Sequence, residues 1–176
     1  CDNNGVDVWE LIKLANHHPR VNILQPGTGV GGHCIAVDPW FIVSQDPDNS
    51  RIIKTAREIN DSKPEWVVDK IKAATHSMST KKVACLGLAF KPDIDDLRES
   101  PAVRVVELLI EQGYNVFCVE PNINEHEKYN LIDIKRAIAE FDVIVLLVKH
   151  KEFSSNMILT ELENKGALDF CGTFSK

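Results

Sequence analysis

Cys34 is the side chain in this sequence best placed for covalent chemistry. It follows PGTGVGGH and precedes Asp38-Pro39, which looks like a helix start. PGTGVGGH packs four glycines and a proline into eight residues, a loop composition. Gly27, Gly29, Gly31 and Gly32 allow the backbone positive φ and a close approach to a ligand. A thiol delivered just before a helix N-terminus, with His33 beside it, suits nucleophilic catalysis. Asp38 shares its side if the helical turn already includes Cys34, and it would then supply a group for acid and base work. The spacing leaves a plainer reading open: an ordinary loop, a small buried cysteine, and an aspartate that only caps a helix.

A second segment, GLAFKPDIDDLRESPA, places Lys91 and Arg98 between a strand and a helix. Open parallel sheets bind ligands at that edge, helix N-termini attract phosphate, and Lys and Arg add charge and bidentate geometry. The segment is neither a GxGxxG dinucleotide fingerprint nor a P-loop. Asp93, Asp95, Asp96 and Glu99 surround the two cations, so a solvated surface is the competing reading. Glu120 ends the next strand, where a dinucleotide fold often holds ribose. Without the glycines it reads as a turn residue.

The elements that must position these groups follow from periodicity. Apolar residues at helical spacing (Val8, Leu11, Ile12, Ala15) predict a helix over 6–17. Asp38 reads as an N-cap with Pro39 first in a helix through PWFIVSQ. A longer helix is expected over about 50–77, with Pro64 as a kink or break. Beyond the polar stretch HSMSTKK comes an alternation: strand VACLGLAF, a helix capped by Ser100 and started by Pro101, strand NVFCVE, helix near 131–140, strand 142–148, short helix near 157–164, strand ALDF. Such alternation predicts a parallel sheet covered on both faces.

Composition narrows the function classes. At 176 residues, 44% hydrophobic and 26% charged, the chain can bury one sizeable core or two small ones. Its formal charge of −6 comes with no long Lys/Arg block, which sets nucleic acid aside. No apolar run approaches the roughly 20 residues of a membrane helix, and CDNNGVDVWE is unlike a signal peptide, so the expectation is a cytoplasmic protein without a membrane partner. Five widely spaced cysteines without a CxxC pair support neither a disulfide framework nor a metal site. Cys85 and Cys118 lie in apolar strands and read as buried, inert thiols.

Taken together, HHPRVNILQPGTGVGGHCIAVDPWFIV, AREIND and GLAFKPDIDDLRESPA, in this order, resemble the UDP-glucose/GDP-mannose dehydrogenase family. The resemblance spans nearly the whole chain and is weakest after about residue 121. It implies an α/β fold: a central helical dimerisation region carrying the cysteine loop (1–78), then a Rossmann-like parallel-sheet domain that binds UDP (79–176). The family's NAD-binding domain, with its glycine fingerprint and the catalytic lysine and asparagine, is expected to lie outside these residues, so this stretch alone is expected to be inactive. The implied activity is an NAD-dependent nucleotide-sugar 6-dehydrogenase acting through a cysteine thioester. UDP-N-acetyl-D-mannosamine is the expected substrate, oxidised to its uronate for surface polysaccharide; UDP-glucose and UDP-N-acetylglucosamine are the alternatives.

Carried over residue by residue, the resemblance implies that Cys34 and Asp38 are catalytic and that Lys91, Arg20, His18 and Gly31 meet the UDP-sugar. Arg20 is the residue offered to the neighbouring subunit of a homodimer formed through the helical region. Arg98 is the residue that reaches the phosphates of NAD. Thr28 stands where the family commonly has proline, and the tail ALDFCGTFSK lacks the further arginine of other members. Two readings compete: a UDP-binding and dimerisation module without catalysis, and an unrelated thiol enzyme with His33 as base. The latter needs an imidazole oriented by a carboxylate, and adjacent side chains diverge.

Overall fold

Asp7 opens the first α-helix by accepting hydrogen bonds from the N–H groups of Trp9 (2.8 Å) and Glu10 (3.1 Å). That helix, α1 (Val8–Ala15), is followed by α2 (Asp38–Gln45), α3 (Arg51–Asp61) and α4 (Lys63–Thr75) in the computed structural model, which describes residues 1–78 and 81–175. The boundary expected at 78/79 falls against residues outside that set. The helix expected over 50–77 is two helices, broken at Ser62. Pro64 lies in the first turn of α4, where its missing N–H leaves no helical bond unmade.

The start of α2 corrects an expectation. Val37, in the right-handed helical region, holds the cap position without a side-chain bond, and Asp38 is the first helical residue. An N-cap needs extended backbone. Here the Cys34 carbonyl already accepts from the N–H groups of Val37 (3.1 Å) and Asp38 (2.8 Å), so helical winding begins at Cys34.

The remaining chain alternates β1 (Lys82–Leu86), α5 (Pro101–Glu111), β2 (Asn115–Val119), α6 (Ile134–Glu140), β3 (Val143–Leu146), α7 (Asn156–Asn164) and β4 (Leu168–Asp169). The strands form one parallel sheet in the order β2-β1-β3-β4, with Cys85 of β1 level with Cys118 and Val145. This is the Rossmann-like arrangement that the alternation predicts. Ser100 and Pro101 start α5 as expected, the serine hydroxyl accepting from Val103 N–H.

Period-two alternation sends the strands' side chains to two cores. Val83, Cys85, Val143 and Val145 meet Val67, Val68 and Ile71 of α4 and Val105, Val106 and Leu109 of α5. Ala84, Leu86, Ile144 and Leu146 meet Ala137, Phe141, Phe153 and Leu162 on the other face. The helical stretch therefore lends α4 to the sheet as a covering layer. Burial pushes the Cys118 thiol up to about 12 and also raises Cys85, which makes both inert, as expected. No helix among the described residues is long and apolar enough to cross a membrane.

β1 ends four residues before the expected Phe90. Gly87, at φ +91°, turns the chain while its N–H still donates to Val119 O at 2.8 Å. An alanine there would press its Cβ to 2.5 Å from Val148 Cβ. The apolar residues Leu88 to Phe90 continue the sequence pattern but belong to the loop at the sheet's C-terminal edge.

Candidate functional site

The two chemistry-bearing segments, some 60 residues apart in sequence, lock together through the glycines. A Cβ on Gly31 would lie 2.1 Å from the Glu99 carbonyl oxygen and 2.7 Å from Pro101 Cδ. Gly32, at φ +91°, passes against the Phe90 ring, and Gly29, at φ +140°, passes against Pro101. Gly31 thus has a packing role of its own: only glycine lets these backbones approach so closely.

Helix α3 holds the same loop from the other side. Asn60 accepts from Val30 N–H at 2.7 Å and donates to Val30 O at 3.1 Å, and Arg57 donates to that carbonyl at 3.4 Å. Arg57 is largely buried and also donates to Asp61 at 2.5 Å. The residue-type reading passed over this clamp. Its signal was the spacing of three in AREIND, which puts Arg57 and Asn60 on one helical face.

Cys34 emerges from this lattice exposed to solvent, one helical turn ahead of Asp38, which is also exposed. The condition for the two sharing a side is met. Arg98, 64% exposed, forks onto Asp96 with bonds of 2.6 to 3.0 Å and lies within electrostatic reach of Cys34. That guanidinium, helped by the Arg98 backbone N–H, holds the Asp96 carboxyl down at about 2. His33 also lies within reach of Asp96, but among the described residues no hydrogen bond joins it to Cys34 or to a carboxylate. The geometry that a His33 base requires is missing.

Beside this corner opens a cleft of about 620 Å³, walled by the Gln25–Val30 stretch, Phe90, Leu147 and Val148, with Lys91, Lys63 and Lys149 around it. Three cations on a largely apolar cleft at the C-terminal edge of a parallel sheet suit a diphosphate joined to a planar base. Lys63 lies 3.3 Å from the centre of the Trp66 ring, and burial lowers its pKa. Lys149 donates to Gly172 O at 2.6 Å. Neither lysine stood out from its sequence neighbours. Cys34 itself lies outside the cleft lining.

Glu120 is 5% exposed and fully engaged by protein groups, which excludes it as a ribose ligand in this conformation. Its Oε2 accepts from Leu88 N–H (2.7 Å), Ala89 N–H (3.0 Å) and His150 Nε2 (3.1 Å). Burial would raise this carboxyl, but the bonds from His150, Leu88 and Asn122 outweigh it and hold the group down at about 2. Asp93, His150 and Glu152 bring potential ligand atoms within 4.8 Å of one another, yet the imidazole Nδ1 already accepts from Asp93 N–H. His18 and Arg20 are exposed, the His18 ring accepting from Arg20 N–H at 3.3 Å. Neither joins the cleft of its own chain.

The paired architecture and its cysteine loop coincide with a known family. Residues 1–62 match the central domain, and residues 84–175 the UDP-binding domain, of the UDP-glucose/GDP-mannose dehydrogenase family. The chain belongs to that family. It is 55% identical, over 97% of its length, to the UDP-N-acetyl-D-mannosamine dehydrogenase of Campylobacter jejuni, of which it spans 42%. Among solved structures, it resembles the UDP-N-acetyl-mannosamine dehydrogenase of Staphylococcus aureus (43% identity, TM-score 0.75, 88% of this chain and 37% of that one). It also resembles that of Pyrococcus horikoshii (32%, TM-score 0.80, 97% and 42%). The chain therefore spans about two fifths of the relatives it matches.

Proposed function

We propose that this chain forms the cysteine and UDP-binding part of an NAD-dependent nucleotide-sugar 6-dehydrogenase, with UDP-N-acetyl-D-mannosamine as substrate. The observation that carries the reading is the joining of the PGTGVGGHC loop to the Lys91 loop, which puts a lysine-rimmed cleft beside an exposed thiol. The relatives named above support the choice of sugar.

In this reading Lys91 meets the diphosphate, Lys63 and Lys149 add positive potential, and the Gly27–Val30 backbone lies along the ligand. The Cys34 thiolate adds to the aldehyde carbon of the half-oxidised sugar, forming a thiohemiacetal that keeps the aldehyde from escaping. After the second oxidation the same sulfur holds the acyl group as a thioester. Water then cleaves the C–S bond, giving the carboxylate and returning the thiol. Asp38, one turn from Cys34, orients or activates that water. NAD, when bound, would accept one hydride in each oxidation step, two NAD molecules in succession taking the four electrons. The residues of this chain fit its edge only: Arg98 offers an exposed guanidinium beside Cys34, and the GxGxxG spacing of residues 27–32 lies in the cysteine loop with no strand leading into it, unlike a dinucleotide fingerprint.

We place the homodimer interface on the helical region, with 1–78 as that unit and 79–176 as the UDP-binding unit, α4 serving both. Ile52 (87% exposed) and Ile59 (67%) stand seven residues apart on α3, and Phe41 (65%) adds to the uncovered apolar surface. Arg20 and His18, remote from their own chain's cleft, then serve the neighbour's substrate. Ile52→Glu with Ile59→Glu should shift the chain from dimer to monomer in sedimentation.

The direct test is calorimetric titration with UDP, UDP-N-acetylmannosamine and UDP-glucose, beside Lys91→Ala. Micromolar to millimolar UDP affinity (a binding free energy of roughly −8 to −4 kcal/mol), weakened by Lys91→Ala, supports the site, and the preferred sugar identifies the substrate. Failure of all three ligands to bind sinks the reading.

A further inference from the structure

His150 is fully buried, and its ring sits where three segments converge. Its Nδ1 accepts from Asp93 N–H at 3.0 Å and from the Asn122 side-chain amide at 3.2 Å. The ring proton therefore resides on Nε2, which donates to Glu120 Oε2 at 3.1 Å. The same carboxylate oxygen accepts from Leu88 and Ala89 N–H, while Oε1 accepts from the backbone and side-chain N–H groups of Asn122 at 3.2 Å. Asp93, held at φ +62°, closes the arrangement by accepting from Lys151 N–H at 3.0 Å.

Lys91 lies midway in the braced turn. Two residues before it the Ala89 amide is tied to Glu120, and two residues after it the Asp93 amide is tied to His150. The left-handed backbone at Asp93 costs about 1–3 kcal/mol and persists only where its surroundings hold it. Every bond that does so here leads to the buried pair or to the residue after His150. The proposed chemistry assigns no role to a buried imidazole at His150, and an apolar side chain would fill the space without polar partners. The pair's evident work is to orient one short stretch of backbone.

We propose that Glu120 and His150 are positioning residues that act on ligand binding through Lys91. They preset the turn of residues 88–93 so that the lysine enters the cleft without an ordering cost at binding. This rests on the reading of the cleft as a UDP-sugar site, and the test separates the two.

UDP would be titrated into the wild-type chain, His150→Gln, Lys91→Ala and the double variant, with amide hydrogen exchange followed at Ala89, Asp93 and Val145. His150→Gln is expected to weaken UDP about fivefold to tenfold, the equivalent of one or two hydrogen bonds. In the Lys91→Ala background the same change should cost less than about twofold, because the coupling runs through the lysine. Ala89 and Asp93 should exchange about tenfold faster or more while Val145 of β3 stays protected. Glu120→Gln, which turns one acceptor into a donor facing other donors, should behave alike and stands in if His150→Gln fails to fold.

Equal loss of affinity in both backgrounds, or unchanged affinity despite faster exchange, overturns the proposal. A wild-type chain that ignores UDP overturns the nucleotide-sugar reading instead. In that case accelerated exchange at Ala89 and Asp93 retains the pair as the brace of the Lys91 turn, and unaltered exchange ends it.

Discussion

Cys34 and Gly31, three residues apart, answer to different physics. The thiol is exposed and makes no hydrogen bond among the described residues, so Cys34→Ser should move unfolding stability by less than about 0.5 kcal/mol. On the proposed function, the same variant should abolish the covalent sugar adduct that mass spectrometry would detect when a protein carrying this sequence is given UDP-N-acetylmannosamine and NAD. Gly31→Ala is the reverse case. Its Cβ would sit 2.1 Å from the Glu99 carbonyl, a clash between backbone segments that rotamer changes cannot relieve. We expect a loss of about 1–3 kcal/mol in denaturant unfolding, as for other overpacked sites. A Gly31→Ala protein as stable as wild type would show that the two loops separate freely.

Helix α3 decides where the glycine loop lies. Its outward side carries Ile52 and Ile59 beside the exposed Lys54–Glu58 ion pair, and its inward face ends in Arg57 and Asn60, which together satisfy both backbone groups of Val30. Asn60→Ala removes two bonds to Val30, at about 0.5–1.5 kcal/mol each. It should speed exchange of the Val30 amide and weaken UDP, because Asn60 and Val30 both wall the cleft. Retained protection of Val30 would assign the loop's position to Arg57, Phe90 and Pro101. The strand-to-helix pattern was legible from β1 onward because period-two apolar runs and the Ser100-Pro101 start are local signals. The early end of β1 was not, since the run LGLAF stays apolar and only the pairing of Gly87, Leu88 and Ala89 with β2 and Glu120 turns it away.

At the scale of the molecule, stability in acid should depend on the Glu120–His150 pair. The folded Glu120 carboxyl titrates at about 2 against an ordinary 4.5, so its contribution is complete above pH 4.5 and disappears as pH falls toward 2. In that window the unfolded chain binds more protons, and stability rises with pH by up to about 1.4 kcal/mol per unit from this group. Denaturant unfolding across pH 2 to 5 should show that slope in wild type and a flatter one in Glu120→Gln; parallel slopes would remove Glu120 as its source. The sequence by itself determined the alternating parallel sheet, the cysteine loop, the Lys91 and Arg98 segment and the family they share, because periodicity, caps and turn residues act within a few positions. Only the tertiary structure decided that Asp38 begins a helix rather than capping it and that Glu120 braces a turn rather than facing a ribose. It alone joined Gly31 to Glu99, Asn60 to Val30 and His150 to Asp93. Those contacts span 30 to 68 residues, and a backbone amide carries no mark in the sequence of the distant side chain that will satisfy it.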